Sequence, residues 1–329
     1  MKRKVEEYLN PKIELALPSS LVANPDPQEG PPSIWQPTPR SKIDPIVYNT
    51  RDYRDACTSS TFDSKTYNFS SPRSRPPQFA TGITFLDINK SNSARLYALV
   101  SDITKQSYKV NVDSFNNTVK HGAGCTFFEV SKTDPDFQQD QVITYVSPYP
   151  YDRQITSYTK YARVFSEDVE IVTWIYHIDV DCFKAGFLDI NTNATSINRD
   201  GFHLVYGSCR ASHNLYSLGS TWIAYPKHKP GIDSGRIDKL KFGLVGAANE
   251  AQGTLTKEMK FKKIFTKPPQ VWLALCGICM KFDLVDNLRL MTRVVKDSIT
   301  TTGFKYEIIS WGKAVLDTVS LCWLAMELD

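Results

Sequence analysis

A slow internal repeat constrains this chain more than any other feature. An aromatic residue follows a polar turn at Tyr108, Phe202 and Phe304, at separations of roughly 95–100 residues, the length of a small domain. About 19–20 residues after each aromatic comes an aromatic-apolar run: Phe127-Phe128-Glu129-Val130, Trp222-Ile223-Ala224-Tyr225 and Trp323-Leu324-Ala325-Met326-Glu327. Ahead of the first and third aromatics stand Pro76-Pro77 and Pro268-Pro269, each followed by a long apolar run and then by Arg95 or Arg289. An ordered series of this kind points to three copies of one unit.

The units are built from strands. Short runs rich in Val, Ile, Thr, Phe and Tyr alternate with Asn, Asp, Gly, Ser and Pro clusters: Gln78–Leu86, Ala94–Asp102, Ser107–Asp113, Glu170–Ile178, Phe202–Gly207, Val271–Ile278, Leu288–Lys296 and Lys305–Trp311. Ser107–Asp113 alternates with period two, as a half-buried antiparallel strand does. Long segments of period 3.6 are absent, which selects a sandwich or barrel over an α/β fold. Upstream, Pro18, Pro25, Pro27, Pro31, Pro32, Pro37, Pro39 and Pro45 remove backbone donors, so residues 1–46 are expected to form an extended arm. Ile34 and Trp35 could pin that arm to a neighbouring surface, and Val5–Leu9 carries its one helical hint. The expected divisions are the arm at 1–46 and repeats at 47–147, 148–230 and 231–329, with Ser147–Tyr151 and Pro226–Pro230 as linkers.

The third repeat resembles the H-type lectin domain, the family of snail agglutinins and of the C-terminal domain of slime-mould discoidins. The likeness runs over residues 261–327, through Pro268-Pro269-Gln270-Val271, Asn287-Leu288-Arg289, Thr302-Gly303-Phe304, Trp311 and Trp323-Leu324-Ala325. Ser234-Gly235-Arg236-Ile237-Asp238 is similar to the family's opening strand. The first repeat shares Phe69–Pro77, Arg95 and the end strand; the second shares Ile178-Asp179-Val180, Asp200-Gly201-Phe202 and Trp222-Ile223-Ala224. The resemblance implies a six-stranded antiparallel sandwich that assembles in threes. It also implies metal-free binding of galactose or N-acetylgalactosamine in shallow pockets near subunit interfaces. Three copies in one chain then form a covalent pseudo-trimer, either a monomer or a small homo-oligomer.

Sugars are held by hydrogen-bond arrays and by an aromatic face against C–H groups. In the third repeat Arg289 matches the family's binding arginine and Trp311 its aromatic. Gly312 stands where the family has histidine, and Asp317 falls at its later tyrosine. The family's acidic ligand falls near Asn249 or Glu250. In the first repeat the matching positions are Arg95, Phe115, Asn116 and His121. In the second the arginine register is lost, Lys184 is the nearest base, and Arg210 and His213 follow the last hairpin. Two readings of Arg95 and Arg289 stand side by side: sugar donors, or salt bridges between repeats. Trp311 is likewise a site aromatic or a packed one, whereas Trp222 and Trp323 read as core and Trp174 and Trp272 as core or inter-repeat packing.

Other classes find little support. The net charge of +4 is too small to argue for nucleic acid, and Lys257–Lys263 reads as a solvated strand face. Asn68, Asn116 and Asn193 match glycosylation acceptors but read as loop residues. No apolar run is long enough for a membrane helix, and Glu6, Glu7 and Glu14 interrupt any signal-peptide core. A cytoplasmic protein, or one released by a non-classical route, is expected. Seven cysteines without a regular framework fit a reducing compartment. Cys276 and Cys279 lie within one strand and cannot turn to one point, so no zinc or redox role is expected, nor any metal or cofactor. No P-loop, HExxH or nucleophile elbow occurs, and Asp179 with Asp181 reads as a strand-end turn, so no enzyme is expected. The alternative to a lectin is a structural or interaction scaffold with degenerate sugar pockets and a functional arm.

Overall fold

The structure is a computed structural model; it describes residues 46–53, 58–89, 93–130, 134–145, 154–181, 187–207, 214–242, 253–281, 287–312 and 314–328. The proline-rich stretch to residue 45, with Val5–Leu9, Ile34 and Trp35, lies outside them.

Among the described residues eighteen strands follow one another, joined by turns and short 3-10 segments. The first six are β1 (Val47–Asn49), β2 (Ser64–Asn68), β3 (Gln78–Ile88), β4 (Ala94–Ser101), β5 (Ser107–Ser114) and β6 (Lys120–Val130). The next are β7 (Gln138–Tyr145), β8 (Gln154–Lys160), β9 (Val169–Asp181), β10 (Phe187–Thr195), β11 (Gly201–Gly207) and β12 (Asn214–Pro226). The last are β13 (Ile232–Lys241), β14 (Gly253–Lys260), β15 (Gln270–Lys281), β16 (Leu288–Val295), β17 (Gly303–Ser310) and β18 (Val315–Met326). Every pairing is antiparallel, as the all-β sequence pattern requires.

Each sheet has six strands, but no sheet belongs to one repeat. The orders are β1-β6-β3-β16-β17-β14, β2-β5-β4-β9-β12-β7 and β13-β18-β15-β10-β11-β8. Every repeat therefore splits into two half-sheets of three strands, its first, sixth and third against its second, fifth and fourth. The fourth strand of each repeat pairs with the third strand of the next: β4 with β9, β10 with β15, and β16 back to β3. The three repeats close into a ring, and each junction is a continuous β-ladder. By this pairing β7 takes the first-strand place beside β12; Ser147–Tyr151 lies outside the described residues.

The repeated aromatics have a common cause. In each unit the residue after the fourth-to-fifth-strand turn packs on the end strand and on a third ring. Tyr108 lies 4.9 Å from Phe69 and 5.7 Å from Phe127. Phe202 lies 5.7 Å from Tyr161 and 5.4 Å from Trp222, and Phe304 lies 5.6 Å from both Phe261 and Trp323. The same turn is fastened in all three, by Phe69 N–H to Gln106 C=O, Tyr161 to Asp200 and Phe261 to Thr302. Buried aromatic pairs of this geometry add about 0.5–1.5 kcal/mol each beyond their area, which is why this triad is what the sequence repeats.

A second core lies where the repeats meet. It gathers Ala80, Trp174, Trp272, Ala274, Cys276 and Cys322 from all three repeats. Gly82, Trp174 and Ala274 occupy equivalent places on β3, β9 and β15, and they touch: a Cβ on Gly82 would stand 2.5 Å from the Ala274 Cβ and 2.7 Å from that of Trp174. One layer thus takes a large, a small and an absent side chain. A homotrimer, which must use one residue three times, cannot pack this way. The Trp174 indole donates to the Cys322 carbonyl at 3.0 Å, and Trp272 to that of Phe127 at 3.1 Å, so both tryptophans bridge repeats. Cys276 faces this core, where burial pushes its thiol up, while Cys279 lies 3.7 Å from Asp317.

Candidate functional site

The ring places one position of each fourth strand opposite one position of the next repeat's third strand. The register gives Arg95 opposite Asp179, Arg289 opposite Asp87, and Asp189 opposite Cys279. The two arginines found in the sequence are therefore equivalent, and the second repeat carries Asp189 in their place. Both arginines form salt bridges between repeats, Arg95 Nε at 2.8 Å from Asp179 Oδ1 and Arg289 Nε at 3.4 Å from Asp87 Oδ1.

The two bridges differ in setting. Arg289 is only 7% exposed, and its Asp87 partner is shared with Arg51, from the 3-10 turn Thr50–Asp52 after β1. Trp311 is 1% exposed and packs at 5.8 Å on Phe85 of the first repeat, with Met291 and Ile309. The hydroxyl of Ser310 donates to the Arg289 carbonyl at 2.9 Å and ties β17 to β16. The positions expected to form the third repeat's pocket are enclosed here. The reason is local: a second guanidinium, that of Arg51, joins Arg289 on Asp87, and three apolar residues, Phe85, Met291 and Ile309, cover the indole.

The junction of the first and second repeats is less enclosed: the Arg95 and Asp179 side chains are 13% and 20% exposed, against 8% and 3% for Arg289 and Asp87. Arg95 is partly exposed and turns one nitrogen to Asp179, while its Nη1 donates to Asn117 Oδ1 at 2.7 Å. Its guanidinium carbon lies 5.7 Å from the Tyr216 ring of the second repeat, a cation–π contact. The Arg95 backbone N–H donates to Thr118 Oγ1 at 3.1 Å, which ties β4 to the turn carrying Phe115, Asn116 and Asn117. Phe115 is half-buried and stacks on His177, with ring centres 5.7 Å apart and planes within 9°. Asn116 is exposed and takes a φ of 53°, a left-handed geometry that asparagine tolerates.

Deeper in this junction His177 Nε2 lies 2.7 Å from Ser217 Oγ, and burial pushes the imidazole down to about 4. It is neutral at physiological pH. Tyr97, opposite His177, donates to Asp113, whose carboxyl burial raises. The arrangement brings guanidinium donors, carboxylate and amide acceptors and a flat ring to one junction, the functional groups that hydroxyl-rich rings require.

Of the remaining expected positions, His121 is buried on β6, in the sheet that carries Arg289 and not in that of Arg95. Lys184, Arg210, His213, Asn249 and Glu250 lie outside the described residues. The acidic partners Asp87 and Asp179, and Tyr216 with His177, escaped the sequence reading as site residues. Their signal was a carboxylate inside an otherwise apolar strand, in Gly82–Ile88 and in Trp174–Val180. Among the described residues no group of three His, Cys, Asp or Glu side chains could hold a metal ion.

Three tandem antiparallel units, closed into a ring with an arginine-carboxylate pair at two of the three junctions, define an all-β repeat protein. The family model of the H-type lectin domain matches residues 64–128, 157–225 and 256–326, more than half of the chain, and the chain belongs to that carbohydrate-binding family. The comparisons with curated proteins and with solved structures gave no match.

Proposed function

We propose that this lectin binds galactose or N-acetylgalactosamine-type glycans, without a metal, at the cleft between its first and second repeats. The observation that carries the reading is the Arg95 group: a guanidinium, less enclosed than that of Arg289, held by Asp179 and Asn117 near the half-buried Phe115 ring and the exposed Asn116. The pre-set arginine loses little freedom when it donates to sugar hydroxyls or an acetamide oxygen. Few contacts in an open cleft give an affinity of roughly −4 to −8 kcal/mol, millimolar to micromolar.

A second reading applies to the junction of the third and first repeats, where enclosure of Arg289 and Trp311 favours a structural role. There the old pocket has become part of the scaffold. A glycan array with wild type, Arg95→Ala and Arg289→Ala chains tests both assignments. Loss of signal in Arg95→Ala alone, with a lowered melting temperature in Arg289→Ala, is the expected result. An array profile unchanged by Arg95→Ala would overturn the site.

A further inference from the structure

The lectin reading takes up one sugar ring beside Arg95 but leaves an exposed aromatic on the same face unused. Strand register connects the two. Arg95 lies opposite Asp179, Asp179 opposite Ser217, and Ser217 opposite Tyr145. Directly opposed residues point to the same face of a sheet. One row therefore crosses four strands, from β4 of the first repeat to the edge strand β7 of the second. The next row along the same face runs Tyr97, His177, Gly219 and Ile143.

The far end of this face is apolar and open. Tyr145 is 80% exposed and Ile143 38% exposed, both on β7. Between the two ends the surface is low. Ser217 is buried beneath His177, and a Cβ on Gly219 would meet the His177 Cβ at 2.6 Å and the Tyr176 ring at 2.9 Å. Three strand spacings separate Arg95 from Tyr145, about 14 Å, a span suited to a glycan of two to four rings. A large tyrosine left bare on an edge strand serves no packing, whereas a flat ring with a polar tip suits a sugar face.

We propose that Tyr145, with Ile143 beside it, forms a second subsite that takes a more distant ring of an oligosaccharide whose terminal sugar sits at Arg95. This extension rests on the Arg95 cleft being the glycan site. It makes the protein a reader of extended chains rather than of single sugars, and the subsite is contributed by the second repeat alone.

Calorimetric titration with methyl N-acetylgalactosaminide and with a linear tetrasaccharide ending in that sugar separates the two levels. Wild type is expected to bind the tetrasaccharide more tightly by about 5–20-fold, the size of one stacking contact. Tyr145→Ala is expected to erase that gain and leave monosaccharide binding unchanged, and Tyr145→Phe to keep it. Equal affinities of wild type for both probes, or an equal loss on both in Tyr145→Ala, would overturn the subsite while leaving the Arg95 cleft standing. Failure of wild type to bind either probe would instead remove the galactose-type reading on which the subsite depends. An exposed edge-strand tyrosine carries no core contact, so the variant is expected to melt with wild type.

Discussion

His177 shows how one partly buried side chain ties the candidate site to stability. Burial between Phe115 and Ser217 holds its pKa at about 4, below the ordinary value of 6.5. Between those two values the unfolded chain binds the extra proton, so stability falls as pH drops through this window and is fully present above it. At about 1.4 kcal/mol per tenfold change, the whole effect is of the order of 3 kcal/mol. The raised carboxyl of Asp113 acts in the opposite sense, so the clean comparison is between wild type and His177→Gln. Urea unfolding at pH 7 and at pH 4.5 is expected to show a smaller pH-dependent loss for the variant. Equal losses would mean that the imidazole is not held neutral by the fold. The arginines were legible as positions at this scale, because an arginine after an apolar run is conspicuous. Their partners were not, because a single aspartate in Gly82–Ile88 or Trp174–Val180 has no meaning until a neighbouring repeat is laid against it.

At the scale of elements, strands and aromatic triads were readable because period-two alternation and the spacing from Phe304 to Trp323 are local. Which strand sits beside which was not local. The six-strand units expected from the sequence are present, yet each sheet joins halves of two repeats. The junction ladders and the layer of Gly82, Trp174 and Ala274 depend on this exchange. A side chain at Gly82 has nowhere to go, since backbone-near atoms of both neighbours lie within 2.8 Å of its Cβ position. Gly82→Val is expected to destabilise by about 1–3 kcal/mol or more, and Trp174→Ala by about 3–5 kcal/mol through the cavity it leaves. The double variant Gly82→Leu with Trp174→Ala should lose less than the sum of its parts, because one substitution fills the space the other vacates. Strict additivity in denaturant melts would show that the two residues do not share a layer.

At the scale of the whole molecule, linking three copies in one chain frees each junction to change by itself. One keeps a partly exposed arginine-carboxylate pair, one has enclosed it with a second arginine and an indole, and one has Asp189 opposite Cys279. The resemblance to a family with one pocket per interface made three sites the natural expectation; burial, which sequence does not display, separates them. Arg289→Ala would leave Asp87 in a buried setting with one partner fewer, a loss of about 3–5 kcal/mol. The expected outcome is an early melt with the glycan cleft intact.

The stoichiometry of glycan binding tests this account most directly. Native mass spectrometry of the full chain, titrated with the best-binding array glycan, is expected to show one bound glycan per chain and none after Arg95→Ala. Three bound glycans per chain, or one that survives Arg95→Ala, would contradict it.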